Sequence, residues 1–289
     1  MKKIIVLGAS GQLGQEWQHT FTDPEVVLLP YNSGQLDITM ENQLRDELTE
    51  QQPDIVVNCA AYTDVDGAEE NRDKAWHINV EAVSGLAELA EQIGFTLVHY
   101  STDYVFPGKS NDRQRHPKGY PESLAANPIN FYGQTKWEGE KIIRKKTDQH
   151  LILRVSWLCG NYGSNFVKTM LRLGQGHEEL QVVNDQWGSP TFTENVVRNS
   201  WKLLQNKRRG TFHITSKGLI TWHHFAKAIF SRAGIKVDLE AVRSEHFPTE
   251  AERPRFSKLK TSRLAGIKGT ILEDWKTGLD KLLYQIEYE

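Results

Sequence analysis

Apolar positions in the first half of the chain alternate between short β-branched runs and longer helical spacings. Ile4–Leu7, Val26–Leu29, Ile55–Val57, Phe95–Tyr100 and Leu151–Val155 read as five strands. The third has no polar alternation, which is the pattern of a strand covered on both faces. Between them lie helical segments: Leu13–Phe21, a helix capped by Thr39 and running to Gln52 before Pro53, and a long pattern over 67–93. A further helix is expected to start at Asn127-Pro128, with Asn as N-cap and Pro in the first turn. Strand and helix alternating at this spacing predict an α/β fold with a doubly wound parallel sheet.

The rhythm changes after about residue 157. Loops lengthen at 184–192 and 243–257, and helices at 222–233 and 272–286 follow short extended pieces. Residues 1–157 are therefore read as a nucleotide-binding domain, with later segments returning to its sheet. Residues 158–289 are read as mainly a smaller C-terminal substrate-binding domain. The segment 107–127, rich in Gly, Pro, Asn and charge, is expected to be a mobile surface loop.

Composition narrows the class. The 289 residues carry 35 Lys+Arg against 37 Asp+Glu, a formal charge of 35 − 37 = −2. That balance lacks the footprint of a nucleic-acid binder or a polybasic membrane binder. No stretch approaches the roughly 20 apolar residues of a membrane helix. The opening Met1-Lys2-Lys3 and the apolar run after it imitate a signal peptide, but the run stops at Gly8. Two cysteines, Cys59 and Cys159, make no disulfide framework. A cytoplasmic enzyme or binding protein remains.

Candidate chemistry starts at the first strand-to-helix turn. Gly8-Ala9-Ser10-Gly11-Gln12-Leu13-Gly14 has the form G-x-x-G-x-x-G inside a βαβ unit, the setting of a Rossmann-like dinucleotide site. The middle glycine admits close approach of a pyrophosphate, the last lets helix and strand pack, and the helix N-terminus offers free N–H groups to the anion. The second strand ends in Leu29-Pro30-Tyr31-Asn32-Ser33, with neither the acid that selects NAD nor the Arg that accommodates NADP. NADPH and NADH both stay open.

Tyr132 and Lys136 stand four apart, on one face of a helix. A free phenol titrates near 10, and a neighbouring ammonium is expected to pull it down toward a useful range. Thr102 ends the fourth strand at its carboxyl end, where open α/β sheets bind ligands. A hydroxyl there can orient a reacting carbonyl beside the tyrosine. His99, His177, His213 and His223-His224 show no metal-ligand spacing and are read as surface or hydrogen-bonded core residues.

These motifs together resemble the extended short-chain dehydrogenase/reductase superfamily. The strings Asn58–Thr63, Ser101–Gly108, Asn127–Lys136, Arg154–Trp157, Asn165–Met170 and Asp185–Thr191 are similar to the dTDP-4-dehydrorhamnose reductase family over nearly the whole chain. The resemblance implies reduction of the C4 keto group of a dTDP-linked 4-keto-6-deoxyhexose with NADPH or NADH. It implies Thr102, Tyr132 and Lys136 as the catalytic trio. For the cofactor it implies Gly8, Ser10, Gly11, Gln12, Leu13, Gly14, Asp37, Ile38, Ala60, Ala61, Tyr62 and Tyr100, with Lys136 on the nicotinamide ribose. Asp103, Tyr104, Trp157, Asn165 and Arg253 are placed at the sugar nucleotide. Cys159 and Phe256 depart from the family's usual Tyr and Asn, which points to an altered pocket. Some members dimerise through magnesium held by acidic side chains. Glu16 and Glu194 match two such positions, but Gln285 stands at the third, so no metal ligand is assigned and magnesium stays optional. The expected partner is a small sugar nucleotide, with the protein a monomer or homodimer.

Two other readings are weighed. A 4,6-dehydratase of this superfamily needs an Asp-Glu pair after the strand-end Thr, whereas Tyr104 follows Asp103 here; an epimerase on another sugar nucleotide stays open. A non-catalytic subunit on the same fold would lack the Tyr–Lys pair, which this chain retains.

Overall fold

The computed structural model describes residues 1–21 and 23–288. Its centre is a six-stranded parallel sheet. Five strands are β1 (Lys2–Leu7), β2 (Val26–Tyr31), β3 (Ile55–Asn58), β4 (Thr96–Thr102) and β5 (His150–Val155), and the sixth is Gly210–His213. The order across the sheet is Gly210–His213, β5, β4, β3, β1, β2. The chain steps outward from β1 to β2, then crosses back over β1 to β3. That reversal is a topological switch point, and it opens a crevice at the carboxyl ends of β1 and β3.

Successive residues of the central strands point to opposite faces, and both faces are covered. Ile4, Val6, Val57, Val98, Leu151 and Leu153 pack with Trp17 and with Val196 and Val197. Ile5, Leu7, Val56, Leu97 and Ile152 pack with Leu44, Leu48, Leu86 and Leu89. This two-sided burial is why those strands are continuously apolar. Helix Thr193–Gln205 closes the first face, so a segment far along the chain completes the core of the sheet.

A second lobe is built on Phe225, Ile229, Phe230, Trp275 and Leu279. Its helices include Phe166–Gly176, Trp222–Ala233 and Trp275–Tyr288, and its strands Glu179–Val183 and Asp238–Val242 pair in parallel. Thr221 caps the second of these helices by accepting from the His224 N–H.

Several boundaries differ from the sequence expectation. Thr39 does not cap the next helix, which runs Glu41–Gln51 from Met40. Its hydroxyl instead donates to Asp37 Oδ1, because the Asp37 side chain offers a nearer local turn. Asn127 is not a cap either. Helix Phe131–Lys146 starts at Asn130, whose side chain accepts from the Gly133 N–H, while Glu69 Oε1 accepts from the Phe131 N–H. Two acceptors at that point outweigh the Asn-Pro signal three residues earlier. The pattern over 67–93 breaks into Gly67–Glu70, Arg72–Trp76, a π-helical turn at His77–Glu81 and Ala82–Ile93. The loop 107–127 is anchored rather than loose: Tyr120 is fully buried, stacks on Phe106 and donates to Asp112 Oδ2.

Candidate active site

A cleft of about 570 Å³ lies at the switch point, a size typical of small-molecule sites. The glycine turn forms one wall, Asn58 to Ala61 after β3 the floor, and Thr102 to Tyr104 the end of β4; helix Phe131–Lys146 and Trp157 close it.

Gly8 has φ +74, a left-handed conformation, and a Cβ there would stand 2.6 Å from the Ala60 nitrogen. A Cβ on Gly14 would overlap the Gly8 carbonyl oxygen. Both glycines are thus demanded by backbone crowding. Gly11 precedes helix Gln12–Thr20 and contributes no side-chain cap, so the first-turn N–H groups stay available to an anion. A pyrophosphate fits this cradle. Gly14→Ala is expected to destabilise the protein by about 1–3 kcal/mol through overpacking. Urea unfolding would check this; an unshifted midpoint would mean that the turn relaxes freely.

Tyr132, Lys136 and Thr102 meet in the cleft. Thr102 Oγ1 donates to Asp103 Oδ1 at 3.0 Å and accepts from the Tyr104 N–H. Burial pushes the Tyr132 phenol well above its ordinary value, the Asp103 carboxylate adds to this, and the Thr102 hydroxyl opposes it. The expected depression by Lys136 is therefore not among the influences on this phenol. The Lys136 ammonium is itself buried, which lowers it to about 8 against a partly opposing Glu140, and its Nζ lies 3.3 Å from His99 Nε2. Asp103 is buried with no hydrogen bond made to Oδ2, and burial raises its carboxyl to about 7 against the opposing hydroxyls of Thr102 and Ser257. Tyr104 packs edge-to-face on Tyr132.

Trp157 adopts φ +47, and its ring stacks on Trp222 at 3.5 Å and 9°. A non-glycine residue held in the left-handed region is costly and concentrates at functional sites. The ring also borders the cleft.

Of the other residues singled out from the sequence, Asp37, Ile38, Tyr62, Asn165 and Arg253 do not line the cleft. The Asp37 carboxylate accepts from the Thr39 N–H and hydroxyl, and Ile38 is buried in the core. The Tyr62 backbone is clasped by the Asn79 side chain, which accepts from its N–H and donates to its carbonyl. Tyr100 borders the cleft, but its hydroxyl is turned into the core between Trp17 and Ser200. Asn165 caps helix Phe166–Gly176 and donates to Gln12 Oε1, tying the second lobe to the glycine turn. Arg253 pairs with Asp66 at 2.5 Å, with Nη1 buried and unpartnered.

Cys159 and Phe256 were expected to reshape the pocket. Cys159 is buried away from the cleft, and Phe256 packs on Tyr120. The Glu16 carboxylate is occupied by the hydroxyls of Thr20 and Thr193, and Glu194 pairs with Arg198. Among the described residues no group of three or more His, Cys, Asp or Glu is arranged to hold a metal.

Sequence reasoning missed the layer behind the cleft. His99 and Ser101, two apart on β4, face Lys136 and Glu140, four apart on the helix. Glu140 accepts from Arg154 Nε at 2.8 Å and Nη2 at 2.7 Å, from Ser101 Oγ, and from Arg144. The available signal was an Arg and a His inside otherwise apolar strands, positions that demand partners.

A parallel sheet of this order, with a glycine-rich first turn and Thr, Tyr and Lys at its switch point, defines a nicotinamide-dependent oxidoreductase of the short-chain type. The family model for the RmlD substrate binding domain matches residues 1–288, and the chain belongs to that family. It is 35% identical to a dTDP-4-dehydrorhamnose reductase of Shigella flexneri, over 98% of this chain and 97% of that protein. It is 36% identical to the spore coat polysaccharide biosynthesis protein SpsK of Bacillus subtilis (strain 168), over 99% and 98%. Among solved structures, the dTDP-4-dehydrorhamnose reductase of Bacillus anthracis str. Ames in complex with NADP superposes with a TM-score of 0.93 at 39% identity, covering 99% of this chain and 100% of that one.

Proposed function

We propose that this protein reduces the C4 keto group of dTDP-4-dehydro-L-rhamnose to give dTDP-L-rhamnose, using NADPH or NADH, in deoxysugar and cell-surface polysaccharide biosynthesis in the cytoplasm. The observation that carries the reading is the convergence of Thr102, Tyr132 and Lys136 on one cleft that the glycine turn also enters. The bound nicotinamide supplies a hydride to C4. Tyr132 gives its phenolic proton to the C4 oxygen, and solvent later returns one. A phenol pushed upward by burial is fully protonated at neutral pH, the form that a reduction consumes. Thr102 orients the carbonyl, Lys136 holds the ribose, and the backbone N–H groups of Gln12 and Leu13 bind pyrophosphate. Asp103, with no hydrogen bond made to its buried Oδ2, receives a sugar hydroxyl. Trp157 covers the apolar face of the deoxysugar. The second lobe shapes the sugar-nucleotide end of the cleft, and Arg253 acts from its rim.

Purified protein is expected to oxidise NADPH or NADH when given the dTDP-linked 4-keto-6-deoxy sugar. An assay across dTDP-, UDP- and GDP-linked keto sugars tests this. Turnover of a UDP or GDP sugar alone would keep the chemistry and move the substrate. No turnover of any would sink the reading.

A further inference from the structure

The buried histidine behind Lys136 carries an inference that hydrogen-bond arithmetic forces. Asn58 Oδ1 accepts from the Ala60 N–H at 3.1 Å, which fixes the amide orientation and turns Nδ2 toward His99 Nδ1, 3.3 Å away. An amide nitrogen only donates, so Nδ1 is the acceptor. A neutral imidazole has one donor and one acceptor, so Nε2 carries the hydrogen. Lys136 Nζ stands 3.3 Å from that nitrogen. An ammonium has three donors and no lone pair. Against Nε2–H it meets donor with donor, whereas a neutral amine accepts.

The opposite assignment fails at its other end. With the proton on Nδ1, an ammonium at Nε2 is satisfied, but Nδ1–H then faces the Asn58 amide nitrogen. Turning that amide moves the same mismatch to the Ala60 N–H. An imidazolium is worse, since both ring nitrogens donate, and burial is the main force that holds His99 well below its ordinary range.

We propose that His99, held by Asn58 in the Nε2–H tautomer, is a positioning residue that biases Lys136 toward the neutral amine before the dinucleotide binds, so that Lys136 gains its proton together with the dinucleotide. The second clause rests on the proposed reading of Lys136 as a ribose ligand: hydroxyl oxygens arriving there are the acceptors that an ammonium lacks. The titratable groups that share the cleft with Lys136 are Tyr100 on β4, Asp103 and Tyr104 just after it, Cys59 after β3 and Tyr132 on its own helix, and Glu140 follows one turn along that helix. Cys59 and Tyr132 are held neutral by burial. Glu140 is the anion that favours an ammonium, and its charge is already taken by Arg154, which reaches it from β5, and by Arg144.

Long-range ¹H–¹⁵N NMR of the unmodified, cofactor-free protein reads the tautomer directly, with His99 assigned through its backbone. The expected result is neutral Nε2–H from roughly pH 6 to 8; an Nδ1–H tautomer or an imidazolium would overturn the proposal. This needs no turnover, so it stands or falls apart from the substrate assay. A second readout is the pH profile of kcat/KM in His99→Gln, whose amide can present its oxygen to an ammonium. The alkaline limb is expected to move up by about one pH unit. A uniformly lower profile with an unmoved limb would leave His99 a packing residue only.

Discussion

Tyr132→Phe is expected to lower kcat by about 10²–10⁴-fold, the range for removing a positioned proton donor. The substitution deletes one oxygen and keeps the ring, which packs edge-to-face on Tyr104. Tyr132 lines the cleft with Thr102, so the loss falls on chemistry and not on the glycine-turn end of the cleft. NADPH affinity, read by fluorescence titration, should change little. Hydride transfer without the phenol would leave an alkoxide to be protonated by water that the site does not position. Unchanged turnover would sink the acid role.

The second large effect concerns stability. Arg154→Met is expected to cost about 3–5 kcal/mol in urea unfolding, the penalty for leaving a buried charge without its partner. Glu140 is fully buried and Arg154 is 1% exposed; the pair is bidentate, and Arg144 alone is left to share the carboxylate. The Arg154 guanidinium, followed by Arg144 and the Ser101 hydroxyl, outweighs burial and holds Glu140 below the ordinary carboxyl range. Its folded pKa is thus below its unfolded one. The stabilisation is present above the unfolded value and is lost as pH falls through the folded value. The variant removes the main cause of that depression, so the gap between wild type and variant should narrow below roughly pH 4.5. Glu140→Gln combined with Arg154→Met should recover part of the loss, because no lone buried charge remains. A double variant as unstable as the single one would show that packing, not charge, set the cost.

The same pair bears on activity, because Ser101 precedes Thr102 and Glu140 follows Lys136 by one turn. Glu140 bonded to both Ser101 and Arg154 pins the helix to the ends of β4 and β5. The three reacting side chains are therefore placed by a polar clamp one layer behind them.

Local pattern determined much of this protein. Continuous apolar runs at Ile4–Leu7 and Ile55–Val57 specified strands buried on both faces, and Gly8 to Gly14 specified the turn from the first strand into the first helix. The four-residue spacing put Tyr132 and Lys136 on one helix face. These are short-range properties, readable because side-chain periodicity and glycine's missing Cβ act within a few residues. Helix starts were less legible, since Asn130 and Asn127 both satisfy the local rule and only the Glu69 contact, 62 residues away, chose between them.

What the tertiary structure decided is charge and partnership. Whether Lys136 lowers the Tyr132 phenol depends on what else surrounds its ammonium, and that is His99 from β4 and Asn58 from β3. Cys159 and Phe256 looked like pocket residues until burial placed them elsewhere. Glu16 matched a family metal position by sequence without being assigned as a ligand, and only the fold shows that Thr193, 177 residues away, donates to its carboxylate. Desolvation and hydrogen-bond satisfaction are sums over whatever the fold brings near, so no spacing within a motif can supply them.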